Sequence, residues 1–483
     1  MTRHRRLRRV IDSMLRKTAI SAILLWALCG CTVGPNYQRP KLATPAQFRA
    51  PTPLPTAEAE SLADLKWFEL FKDEQLQALI RRALVQNYDL RDAAARVEEA
   101  RANLGITRSD QFPQFGASGG VDINRLSRQG EEPIPPSFLP SQNRNFGAVS
   151  LNLLSFEVDL WGKLRRATEA ARANLLNAEE NRKTVITTLV SDVATAYLSM
   201  RELDHELEIS NETLETRQES LNLVKSRQSG GVATRLDMRQ AEQLVDTAAQ
   251  MIPVIEQQIE QTENQIHLLL GEPPGNVPRG KLLTDQDLPP EVPAGLTSAL
   301  LERRPDIRAA EQYLIAANAE IGVAKAAYFP QLTISGFLGG QSSQLTNLLS
   351  GPASAWTLAP QLAQPIFTAG RLKSNVRLTE AQREDALIQY EKTIQTAFME
   401  VSNSLIAHQR TRESREKQED LVVALTDRTR LAYIRYRGGV DTQLDALDAD
   451  RDLFTAELQL SQIRLSEVLT VVQLYKALGG GWQ

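Results

Sequence analysis

The chain has 483 residues, with 55 basic and 59 acidic side chains and only 6 % aromatic residues, so its long amphipathic stretches favour helical rods over compact globules. The first 30 residues hold seven of the basic side chains and one acid, Asp12; without them 48 basic and 58 acidic residues remain, a net charge of about minus 10. That balance argues against a duplex nucleic-acid partner, which needs a basic face to displace phosphate counterions.

The seven basic residues, Arg3, Arg5, Arg6, Arg8, Arg9, Arg16 and Lys17, precede an apolar run from Ala19 to Leu28 that is too short to span a bilayer. This is the pattern of a secretory signal over residues 1–30. The order Leu28-Cys29-Gly30-Cys31 resembles a lipobox, in which the last cysteine is acylated and becomes the new N-terminus. Ordinary cleavage near Gly30, leaving Cys31 free, is the plainer alternative. Acyl chains contribute about 0.8 kcal/mol per buried methylene, so a multiply acylated Cys31 would tether the chain to a membrane without a spanning helix. Thr32 stands where, in many Gram-negative bacteria, an aspartate would signal retention in the inner membrane. The chain's two cysteines are Cys29 and Cys31, which excludes a disulfide scaffold or a thiolate metal site in the mature body. Residues 31–63, with Pro35, Pro40, Pro45, Pro51, Pro53 and Pro55, read as an extended strap.

Beyond the strap the sequence resembles itself at a separation of 217, later 208, residues. Leu104-Gly105 matches Ile321-Gly322, and Phe112-Pro113-Gln114 matches Phe329-Pro330-Gln331. Gly162-Lys163-Leu164 matches Gly370-Arg371-Leu372, and Gly230-Gly231-Val232, Thr234 and Asp237 match Gly438-Gly439-Val440, Thr442 and Asp445. The chain is a tandem duplication. A first repeat over 64–271 and a second over 300–478 are joined by a linker at 272–299, and residues 479–483 form a tail.

Each repeat reads as helix, strand, loop, strand, long helix, turn and return helix. In the second, Leu332, Ile334, Gly336 and Leu338 alternate with Gln331, Thr333, Ser335 and Phe337, the period of a strand with two unlike faces. Strands are predicted near 112–124, 146–159, 329–341 and 355–367, with polar loops at Ser127 to Asn145 and Gln341 to Ser354. From Lys163 to Gln228 there is no proline or glycine, which allows a helix of about 100 Å at 1.5 Å per residue. Ile186, Leu189, Val193, Ala196, Met200, Leu203 and Leu207 step by 3 and 4 in turn, a period that demands a supercoiled partner. Return helices are expected to start at Thr234 and Thr442 as N-caps, and Pro253 should kink the first of them, where the second has Ser461.

The four histidines, His4, His205, His267 and His408, stand singly, and no nucleophile elbow, zinc-binding helix or phosphate-binding glycine loop occurs. No enzyme, cofactor or metal site is expected. Four strands cannot close a transmembrane barrel, and an open edge is not tolerated in lipid, so closure must come from several chains. The G-x-V-x-T-x-L-D pattern at both turns, the F-P-Q pair, the start C-T-V-G-P-N-Y-Q-R-P at Cys31 and the end Y-K-A-L-G-G-G-W at Tyr475 resemble the TolC-like outer-membrane factor family. The match is strongest to its lipoprotein branch from resistance-nodulation-division efflux systems. The resemblance implies a mostly α fold with a small transmembrane β part, four strands per protomer completing a twelve-stranded barrel in a homotrimer, on a long α-helical periplasmic barrel. It also implies a periplasmic adaptor and an inner-membrane pump as partners, and outer-membrane lipid as surroundings.

Carried onto this sequence, the family's periplasmic constriction falls on Leu444 and Asp448, with Arg451 and Arg437 as ion-pair partners that latch the closed state. Independently, Asp441, Asp445 and Asp448 are spaced to share one helical face, as a gate or as a plain solvated acidic surface. The first repeat has Gln240 and Gln243 opposite Asp448 and Arg451, so the charge should come mainly from the second. The tips Gly230, Gly231, Val232 and Thr234, and Gly438, Gly439, Val440 and Thr442, are turns by their glycines; adaptor contact there is what the resemblance adds. A drug-efflux duct is the leading reading. The outer-membrane partner of a type I protein secretion system, and a periplasmic coiled-coil scaffold without a barrel, are the alternatives.

Overall fold

The architecture follows from two local rules, the two-residue period of the hairpins and the uninterrupted helical runs between glycines. The computed structural model describes residues 32–41, 45, 47–51, 61–125, 143–286 and 297–482. The signal (1–30), Cys31, parts of the strap and linker, most of the first hairpin loop and Gln483 lie outside the described residues. The elements used below are α1 (Glu74–Gln86), α2 (Tyr88–Ser109), β1 (Phe115–Arg125), β2 (Asn143–Val158), α3 (Lys163–Ser229), α4 (Arg235–Leu270), α5 (Pro305–Ala326), β3 (Gln331–Ser342), β4 (Ser354–Ala363), α6 (Arg371–Arg437) and α7 (Gln443–Ala477). The two long helices, α3 and α6, have 67 residues each. Among the described residues no helix is long and apolar enough to cross a membrane.

The chain divides into two compact units, and each takes elements from both repeats. The first, within Met1–Pro40, Glu98–Leu176 and Glu311–Ile388, holds the sheet. Its strands run antiparallel in the order β1-β2-β3-β4, with a bulge between Leu153 and Phe156, so β1 and β4 each keep an edge unpaired within the chain. Register sorts the side chains by face: Leu151 stands opposite Ala117 and Leu338, and Leu338 opposite Trp356. One face therefore carries Phe115, Val121, Ile123, Val149, Leu151, Leu338, Trp356, Leu358 and Leu362, all solvent-exposed in the single chain. The other is polar: Ser118 and Ser150 meet at 3.0 Å, and Asn152 Nδ2 donates to Ser118 Oγ. Apolar-out, polar-in alternation on an open sheet is what a lipid-facing barrel wall requires.

Beneath the sheet, small residues let α3 and α5 approach closely through Ala170, Ala173, Ala316 and Ala319. The strap is clasped beside them. Val33 N donates to the Trp161 carbonyl at 3.0 Å, and the buried Arg166 guanidinium donates to the Val33 and Gly34 carbonyls and, at 2.6 Å, to Asn36 Oδ1. Gly34 requires its positive φ of 97°, and a Cβ there would lie 2.6 Å from Gly322 Cα.

The second unit, Lys41–Val97, Asn177–Ala310 and Gln389–Gln483, packs Leu76, Leu79, Ile80, Tyr197, Met200, Ile266 and Tyr475 in its interior. Asp73 organises one end. Its carboxylate caps α1 through the Gln75 and Leu76 N–H groups and accepts from Tyr197 Oη and Lys281 N at 2.9 Å. Burial and the Asp73 charge push the Tyr197 hydroxyl well above the ordinary tyrosine range. The tail glycines are structural: a Cβ on Gly480 would lie 2.4 Å from the Tyr475 ring. α4 runs unbroken through Pro253.

Candidate functional site

Both helical hairpins turn in the same way, and glycine geometry explains it. α3 ends at Ser229, and Gly231 adopts φ 75°; α6 ends at Arg437, and Gly439 adopts φ 72°. Val232 N then reaches back to the Arg227 carbonyl at 2.9 Å, and Val440 N to the Arg435 carbonyl at 3.0 Å. These bonds satisfy carbonyls that the helix end leaves open. Of each glycine pair it is the second that needs the left-handed backbone; Gly230 and Gly438 do not adopt it.

The expected N-caps are in place. Thr234 Oγ1 accepts from Asp237 N, while Asp237 Oδ2 accepts from Thr234 N at 2.7 Å, a full capping box. Thr442 Oγ1 accepts from Asp445 N at 3.3 Å. Val232 and Leu236 on the first tip, and Val440 and Leu444 on the second, remain exposed. The tips are tied together: Gln443 Nε2 donates to the Asp237 carbonyl at 3.0 Å, Tyr436 Oη meets Gln443 Oε1 at 3.3 Å, and the Arg227 guanidinium lies 4.6 Å from the Tyr436 ring centre.

The acidic trio divides. Asp441 does not share a helical face with Asp445 and Asp448, because Thr442 caps the helix and α7 begins only at Gln443. Asp441 sits in the turn instead, where the hydrogen bond from Arg435 Nε, at 2.8 Å, holds its carboxyl below the ordinary aspartate value. Asp445 is occupied as a capping partner of Thr442, and Asp448 pairs with Arg451 one turn along at 3.2 Å. Arg437 closes α6 on the exposed surface.

The most buried ion pair towards the tips, among the described residues, joins the two repeats and is not among the residues expected from the sequence. Arg217 Nε donates to Asp450 Oδ2 at 2.7 Å, Arg217 Nη1 donates to the Leu244 carbonyl, and the guanidinium lies 4.8 Å from the Phe454 ring centre. One side chain of the first repeat thus joins α3, α4 and α7. Its signal was present: the 3-and-4 stepping from Ile186 continues through Ser210, Leu214, Arg217, Leu221 and Val224, which puts Arg217 on the buried stripe. Burial raises the Asp450 carboxyl above its ordinary value, and Arg217 offsets part of that rise. Among the described residues no cluster of His, Cys, Asp or Glu could hold a metal ion.

The family model described as "Outer membrane efflux protein" matches residues 79–272 and 296–480. The toluene efflux pump outer membrane protein TtgC of Pseudomonas putida is 39 % identical over 468 residues, 95 % of each chain. The cation efflux system protein CusC of Escherichia coli is 33 % identical over 458 residues, 95 % of this chain and 97 % of its own. Among solved structures, the open state of the Neisseria gonorrhoeae MtrE outer membrane channel superposes with a TM-score of 0.85 at 32 % identity, covering 94 % of this chain and 99 % of that one. The duplicated strand-and-helix unit, the two-faced open sheet and these likenesses converge: the chain belongs to the outer membrane efflux protein family, as one protomer of a trimeric TolC-like channel with a β-barrel and a helical barrel.

Proposed function

We propose that this channel is the passive exit duct for drugs or other small toxic molecules, joined through a periplasmic adaptor to an inner-membrane pump and anchored by lipid on Cys31. The observation that carries the reading is the pair of glycine-turned tips with exposed Val232, Leu236, Val440 and Leu444, an apolar surface at the helix ends for a partner to cover. Leu444, Asp445 and Asp448 form the constriction, Arg451 is its local counter-charge, and Asp441 acts at the turn through Arg435 rather than in a ring. Residues 64–271 and 300–478 serve as the two repeats of the wall, and 272–299 as the linker between them. The strap supports the anchor, because its first described residues are clasped at the foot of the sheet by Arg166 and Trp161.

Deleting the gene and screening antibiotics, dyes, solvents and metals tests the cargo; unchanged sensitivity to all four would sink the efflux reading. In planar bilayers the trimer should conduct ions, and Asp448→Ala should raise the conductance at neutral pH; equal currents would count against the constriction. Acyl labelling should vanish in Cys31→Ser, and persistent label would refute the anchor.

A further inference from the structure

α3 and α7 run antiparallel in the second unit, so that Glu206 meets Gln462 and Arg217 meets Asp450. This seam joins the first repeat to the second. On α7 the 3-and-4 stepping through Gln443, Leu447, Asp450, Phe454, Glu457, Ser461, Arg464, Val468, Val471 and Tyr475 is unbroken, so polar groups occupy positions where a coiled coil is ordinarily apolar.

One buried polar contact at this seam is an acid pair on α3. Glu202 and Glu206 stand one turn apart on α3 with 5 % and 7 % of their surface exposed. Gln462 Nε2 donates to Glu206 Oε1 at 2.8 Å, and the Ser461 hydroxyl, on a residue 1 % exposed, faces Glu202, whose Oε1 is left without a donor. The neighbouring cation, Arg201, is turned away to Asp204 and, at 3.0 Å, to the Lys281 carbonyl. Of the seam's other charged groups, Glu457 and Asp450 of α7 lie towards the tip, where Glu212 and Arg217 of α3 act on them, and Asp192 of α3 with Lys476 of α7 lies on the side away from it.

Two ionised carboxylates on adjacent turns, out of water and without a cation between them, repel strongly; one retained proton removes a charge and supplies the missing donor. We propose that Glu202 retains a proton beside the Glu206 carboxylate in each protomer, and that its occupancy sets how firmly the long helix of the first repeat grips the return helix of the second. Burial first, then the Glu206 carboxylate, pushes the Glu202 carboxyl up to about 8 from 4.5. Because the closed seam binds the proton more tightly than an opened one, its stability is full below the ordinary glutamate value and declines as pH rises through about 8. The Arg217–Asp450 pair lies about 16 Å nearer the tip at 1.5 Å per residue.

Amide hydrogen exchange of the full trimer in detergent tests the proposal, read as opening constants for peptides covering 200–210 and 457–464. In the wild type the opening constant should rise on the order of tenfold per pH unit between about pH 5 and 8. In Glu202→Gln the rise should be much shallower, leaving only what the raised Glu457 and Asp450 carboxyls contribute. A flat wild-type profile, or the same slope in Glu202→Gln, overturns the proposal. If Glu202→Gln does not assemble, Glu206→Gln decides: loss of the neighbouring charge should move the transition to lower pH, and an unmoved midpoint overturns it equally.

Discussion

Arg217 of α3 and Asp450 of α7 form an ion pair of 2.7 Å in which the side chains are 2 % and 9 % exposed. At such burial the worth of the pair lies less in its attraction than in what one partner suffers without the other. Truncation to Arg217→Ala leaves Asp450 buried and unpaired, and should destabilise the chain by about 3–5 kcal/mol. The double variant Arg217→Met with Asp450→Leu should recover most of that loss. Thermal unfolding of the purified trimer measures both, and a single variant as stable as the parent would contradict the argument.

The two faces of β4 should respond oppositely to the same charge. Leu358→Arg puts a cation on the apolar face, at a cost of about 2–4 kcal/mol near the bilayer midplane, whereas Thr357→Arg puts it on the polar face. The yield of heat-resistant trimers on gels should fall sharply for the first and little for the second.

At the first tip, Gly231→Ala forces a side chain into the left-handed region and should loosen the turn by about 1–2 kcal/mol, while Gly230→Ala should be nearly neutral. Limited proteolysis at 228–236 distinguishes them. The same contrast is expected between Gly439 and Gly438.

The clasp on the strap can be reverted to what the second repeat has. Ser374 occupies the place corresponding to Arg166, and Arg166→Ser removes the donors to Val33, Gly34 and Asn36. Hydrogen exchange at 33–37 should rise at least several-fold while trimers still form. Unchanged protection would show that Trp161 and the backbone contact hold the strap without Arg166.

Periodicity made most of the fold legible, and its errors have local causes. α3 ends within a residue of the expected place because Gly230 and Gly231 stop it. β1 starts at Phe115 rather than 112, since Gln111 and Phe112 still belong to the helix-ending turn, with Phe112 N donating to the Ser109 carbonyl. β2 starts earlier than expected: Asn143 and Asn145 look like loop residues, yet they pair with Arg125 and Ile123. β4 ends at Ala363 because Pro365 has no N–H for a ladder and Gln364 turns to the Tyr328 carbonyl. Less of the candidate site could be read. A lone Arg or Glu on a long helix looks like solvated surface until the partner helix is known, which is why Arg217, Arg166 and Glu202 were missed. The spacing of Asp441 to Asp445 and Asp448 is misleading, because a helical period does not continue across the Thr442 N-cap.

The unpaired edges of β1 and β4 make each subunit answerable for its neighbours. A chain that can join but cannot complete the ring spoils every assembly it enters. With defective and intact chains made in equal amounts and mixed at random, about one trimer in eight escapes. An allele that breaks one edge should therefore be inherited as a dominant trait.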